Sequence, residues 1–199
     1  MANEKKTINQ INIIQDEKIK RSLNTSIKEG ALNAASSSIF STFLVPLALA
    51  LKATNLQVGF ISTAQELATM AGQIPGAKLT AYFDRKNIWL ISQIIGKIAL
   101  WIPIILLPFM NLHDPVTYLM IFAAMSAFFL ALRGPAWSSL MGDLVKQENR
   151  GRYFGKRNMT VGAAGVLTTL VAGFIVGSFG FAVIFSIGII LTIISIPIF

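Results

Sequence analysis

The chain contains no cysteine, which excludes a disulfide, a thiolate metal site and a thiol nucleophile. It has one histidine, His113, too few imidazoles for a dedicated transition-metal site. Charge is scarce as well: 13% of residues are charged, nine acidic against seventeen basic. No Gly-x-x-x-x-Gly-Lys-Ser/Thr phosphate loop occurs, nor His-Glu-x-x-His or Gly-x-Ser-x-Gly. These absences leave no catalytic residue, metal or cofactor to assign, and the sequence does not read as an enzyme.

What the chain has instead is apolar length. Hydrophobic residues make up 54% of it and the mean hydropathy is +0.64, far from a soluble balance. No charge falls between Asn158 and Phe199, a stretch about twice the length of one membrane span. The turn signal Gly177-Ser178-Phe179-Gly180 divides it. Reading backwards places spans near 31–51, 57–80, 87–110, 116–141, 158–176 and 181–199. The segments are continuously apolar rather than alternating, so they predict helices and not a barrel. The expected fold is therefore all-α and integral to the membrane, with six transmembrane helices and the lipid bilayer as partner.

The basic residues orient these spans. Lys5, Lys6, Lys18, Lys20, Arg21 and Lys28 precede Gly30; Lys78, Arg85 and Lys86 mark the second gap; Lys146, Arg150, Arg152, Lys156 and Arg157 crowd the fourth. Only Lys52 marks an odd-numbered gap, while Lys97 and Arg133 lie inside apolar segments. Such alternation is the positive-inside pattern of a multi-pass protein of the cell membrane with both termini cytoplasmic. It also accounts for the net charge of +8 without nucleic acid, since the cations are divided among loops. Residues 1–30 form a cytoplasmic tail, too polar for a cleavable signal peptide. Within it Ile19, Leu23 and Ile27, spaced by four, predict a short amphipathic helix along the interface.

Polar residues inside the spans are the site candidates. Span two carries Ser62, Glu66, Thr69, Gln73 and Gly76 at spacings that keep one face polar. Glu66 lies roughly 13–14 Å below the outer end, where a carboxylate needs protein or water beside it. It is a candidate proton or cation site, or interhelical glue. Arg133, followed by Gly134 and Pro135, can line a cavity where the helix is locally broken. Lys97, one turn beyond Gln93, lines the interior or snorkels to the interface. Asn33, Ser37 and Ser41 form a polar line on span one, read as glue or ligand contact. Span five offers Gly165, Thr169, Gly173 and Gly177 at spacing four, a close-packing stripe. His113 reads as a solvated turn residue.

Two stretches carry a family resemblance. Pro75-Gly76-Ala77-Lys78-Leu79, then Asp84-Arg85-Lys86, resembles the loop between the second and third helices of the major facilitator superfamily, Gly-x-Leu-Ala-Asp-Arg-x-Gly-Arg-Lys. This chain keeps the Leu and the basic pair but has Ala81 for the acid and Asp84 for the second Gly. Gly134-Pro135-Ala136-Trp137-Ser138-Ser139-Leu140-Met141-Gly142-Asp143, continuing through Arg150-Gly151-Arg152-Tyr153-Phe154-Gly155, is similar to the end of the fourth helix and the loop after it in prokaryotic members. The resemblance covers residues from about 22 to 199. It implies the N-terminal half of a twelve-span transporter, each half a 3+3 inverted repeat. It also implies alternating-access transport of a small-molecule substrate, with the proton as candidate coupling ion and the missing C-terminal half, or a second copy, as partner. Asp84, Arg85, Lys86, Asp143, Arg150 and Arg152 become gate candidates at the cytoplasmic mouth. The rival readings are a six-span structural or assembly protein without transport and, with less support, a membrane enzyme.

Overall fold

The computed structural model describes the backbone of residues 2–198 and the side chains of residues 17–198. It is a bundle of long helices joined by short turns. Helix α1 runs Ala2–Ala50 and α2 runs Asn55–Tyr82. The third span is composite: α3 (Arg85–Gln93), a π-helical segment (Ile94–Ala99) and α4 (Leu100–Leu106) follow end to end. Then come α5 (Pro115–Leu144), α6 (Arg150–Phe179) and α7 (Phe181–Ser195).

Among the described residues five stretches are long and apolar enough to cross a membrane: Glu17–Ala50, Arg85–Phe109, Pro115–Leu144, Gln147–Phe179 and Phe181–Ile198. At 28 residues α2 is about 42 Å long and has the reach, but its polar stripe lowers its hydropathy. Helix α1 continues through residue 30 without interruption, so the tail and the first span are one rod. Helix α5 likewise passes through Gly134-Pro135 unbroken, in contrast to the expected local break.

The turns are chemically explicit. Thr54 and Gln57 form a reciprocal capping box at the start of α2, and Asp84 caps α3 by accepting from the Lys86 amide at 3.2 Å. Asp114 caps α5. The hydroxyl of Thr117, and then its amide, hold the Asp114 carboxyl below its usual range.

The dominant helix pairings are α2 with α5 and α1 with α6, followed by α1 with α7 and α3 with α5. Counted as spans, these are 2–4 with 5–1, and 3–4 with 6–1. Exchanging the first three spans for the last three converts each pairing into its partner, which is the signature of a 3+3 repeat. Glycine permits the closest of these contacts. A Cβ at Gly72 would lie 2.5 Å from the Phe128 carbonyl oxygen, and one at Gly76 would lie 2.7 Å from that of Leu132. The main apolar core sits toward the other end of the bundle. There Phe40 stacks on Trp101 at 4.5 Å and meets Phe185 edge-on at 5.9 Å.

Candidate functional site: a charged cavity between four spans

Helical spacing collects one polar face from each of several spans. On α1, Glu29 and Asn33 are one turn apart and continue the line through Ser37. On the third span Trp89, Gln93, Lys97 and Trp101 recur every four residues, and all are buried. The π-helical segment spans Lys97; such local widening is frequent at functional sites. Helix α5 adds Arg133, Gly134 and Trp137, and α6 adds Arg157.

These faces meet around a partly open cavity of about 210 Å³ lined by Glu29, Asn33, Trp89, Arg133, Gly134, Trp137 and Arg157. Glu29 is 1% exposed and Lys97 0%, so Lys97 does not snorkel. Its ammonium donates to Asn33 Oδ1 at 2.5 Å and to the Asn33 carbonyl at 3.2 Å. Gln93 Nε2 donates to the same Oδ1 at 3.2 Å. Asn33 thus gathers two donors from the third span. The Arg157 guanidinium lies 4.4 Å from the centre of the Trp137 ring, a cation–π contact.

Charge around the cavity is left unpaired among the described residues. Glu29 Oε1, Gln93 Oε1, Arg133 Nη1, Trp137 Nε1 and Arg157 Nε are buried and have no hydrogen-bond partner among the described residues. The one carboxylate and the two guanidinium groups therefore face the same space without an ion pair within 4.0 Å.

Of the sequence candidates, Asn33, Lys97 and Arg133 are brought together here. Glu66 and Gln73 are not: both are exposed on α2, and among the described residues neither makes a hydrogen bond or ion pair. Glu29 and Arg157 are the residues that sequence reasoning missed, one assigned to the tail and the other to the loop charges. Glu29 was legible as one further step of four before Asn33, Ser37 and Ser41.

The gate candidates sit at the ends of α3, α5 and α6. Asp143 pairs with Arg85 (Nη1 to Oδ2, 2.5 Å) rather than with the basic residues that follow it. Arg150 instead donates to the carbonyls of Val145 at 3.2 Å and Gly142 at 3.0 Å, closing the carboxyl end of α5. Arg152 and Lys86 are exposed, and Asp84 serves as the helix cap. Of the glycines in the span-five stripe only Gly165 packs tightly, 2.7 Å from Ser38 Oγ by its would-be Cβ; Gly173 and Gly177 face open space.

A helical membrane bundle with this internal repeat, enclosing a charged cavity, has the form of a transport protein. The sequence matches the Major Facilitator Superfamily over residues 30–199, and the chain belongs to that superfamily. It is a multi-pass membrane transporter. No curated protein and no solved structure matches it.

Proposed function

We propose that the chain is one six-helix half of a secondary active transporter that moves a small solute by alternating access. The cavity between α1, α3, α5 and α6 is its share of the solute path. The observation that carries this reading is the unpaired charge around that cavity. A structural role would be served by closing Glu29 onto Arg133 or Arg157, because an uncompensated buried charge costs about 3–5 kcal/mol. Keeping these groups apart around a partly open space suits groups that a solute or a second conformation pairs in turn.

The Arg85–Asp143 pair fits a gate in the same scheme. Its side chains are 36% and 67% exposed, and such pairs contribute about 0–1 kcal/mol, weak enough to form in one state and break in another. In the cell membrane the termini and the loops bearing Arg85 and Arg150 face the cytoplasm in this reading. Glu66 and Gln73 on α2, and the open Gly173–Gly177 edge of α6, meet a second half or a second copy of the chain. Glu66 is then the candidate proton site of the assembled pathway.

Mass measurement in mild detergent together with flux into reconstituted vesicles tests this. The expected result is solute flux only from the six-helix unit joined to a second half or copy. Saturable flux from a stable monomer would show that the six spans are sufficient and would overturn the half-transporter reading.

A further inference from the structure

We propose that the cavity takes a small oxyanion, a solute carrying a carboxylate or phosphate group, held by Arg133, Arg157 and the Trp137 indole N–H. The solute reading of the cavity is assumed here; the charge and shape of the site supply the chemical class.

The charges are unbalanced. One lining carboxylate, Glu29, stands against the lining Arg133 and Arg157, with Lys97 bonded to Asn33 behind them. Lys97 already donates twice to Asn33, whereas Arg133 Nη1 and Arg157 Nε are buried without a hydrogen-bond partner among the described residues. Guanidinium groups stay protonated in proteins, so an excess of cation persists around this partly open cavity. Arginine's planar fork matches the oxygens of a carboxylate or phosphate.

The donors are also arranged rather than merely present. Arg133 and Trp137 are one turn apart on α5, and Trp137 Nε1 is itself buried and unpartnered. The Trp137 ring holds the Arg157 guanidinium beside the cavity, 4.4 Å from the ring centre. Gly30 leaves room for that guanidinium, since a Cβ there would lie 2.7 Å from Arg157 Nη2. The cavity, about 210 Å³ and partly open, has room for a small solute beside these donors. Glu29 opposes the anion and so sets the sign of the decisive test.

The chain has three tryptophans, and Trp89 and Trp137 line the cavity, so intrinsic fluorescence of the purified full chain reports binding. The probes are succinate and inorganic phosphate, with choline and glycine as cationic and zwitterionic controls. The expected result is saturable quenching by succinate or phosphate alone. Arg133→Gln and Arg157→Gln should weaken it about tenfold or more, the loss typical when a buried charged contact is truncated. Arg133→Lys, which keeps the charge, should retain more affinity than Arg133→Gln and guards against a misfolded variant. Glu29→Gln should tighten anion binding severalfold by removing a like charge. Binding of choline or glycine that Glu29→Gln weakens would overturn the proposal. Flux of a cationic solute without anion binding would also overturn it and leave the transport reading intact. Anion binding by the chain, with no flux even from the unit joined to a second half or copy, would uphold the site and remove the transport reading.

Discussion

Replacing Gly76 with leucine is expected to break the contact between α2 and α5 and unfold the bundle in detergent. The atoms that a side chain there would strike belong to backbone, the Leu132 carbonyl oxygen at 2.7 Å and its Cα at 2.9 Å. Backbone cannot rotate away, so the helix axes must separate. Overpacking of this kind costs about 1–3 kcal/mol for a modest excess of volume, and leucine adds far more than one methyl. Helix α2 has little else to hold it, since its contacts with α1 and α3 are slight. Gly76→Ala should lower stability by about 1–3 kcal/mol, and Gly72→Leu with Gly76→Leu should leave no folded protein. Gly173→Leu is the control, because nothing lies within 4 Å of its would-be Cβ. Thermal unfolding followed by size-exclusion chromatography reads all four. A Gly76→Leu protein as stable as the parent would mean that the α2–α5 contact is not as close as described.

Asn33→Leu is expected to destabilise the chain more than Lys97→Met. Leucine removes the side-chain acceptor used by both Lys97 Nζ and Gln93 Nε2, which takes the Gln93 amide's bond away and leaves the Lys97 ammonium only the Asn33 backbone carbonyl. Such losses cost about 1–3 kcal/mol each, and more for a charged group. Lys97→Met deletes the cation itself and leaves Asn33 Oδ1 with its bond from Gln93, so stability should hold within about 1 kcal/mol. The double variant should then be more stable than Asn33→Leu alone, with a coupling of about 1–3 kcal/mol. Independent, additive effects in denaturant titration would show that Lys97 and Asn33 do not interact.

How far the sequence disclosed this molecule depended on the range of the interactions involved. Helical, membrane-spanning character is written locally, in uninterrupted apolar length and in Lys and Arg placement, and the segments around 57–80 and 116–141 lie inside α2 and α5. The apolar pattern says where lipid ends, not where helix ends, which is why α6 begins at Arg150 rather than near 158. The cavity is non-local. Arg133, Lys97 and Asn33 were conspicuous as polar residues among apolar ones. Glu29 and Arg157 were hidden because they sit among loop and tail charges, and only the convergence of α1 and α6 makes them interior. Glu66 was the most conspicuous residue of all and lies outside the cavity, since a polar stripe shows that a face avoids lipid without showing what it meets. The Gly72–Gly76 spacing carried the real close contact and was overshadowed by the longer stripe on α6.

Thiol labelling of Gly134→Cys tests the central claim, that this cavity is a water-filled part of the transport path. The chain has no cysteine of its own, and Gly134 lines the cavity with open space around its would-be Cβ, so the thiol is tolerated and unique. Gln147→Cys, in the exposed segment between α5 and α6, is the reference for the cytoplasmic side. In inside-out vesicles a membrane-impermeant reagent should label both thiols, and succinate or phosphate should slow labelling at 134 alone; in intact cells Gln147→Cys should stay unlabelled. A Gly134→Cys thiol that stays silent in inside-out vesicles while Gln147→Cys reacts would contradict the account.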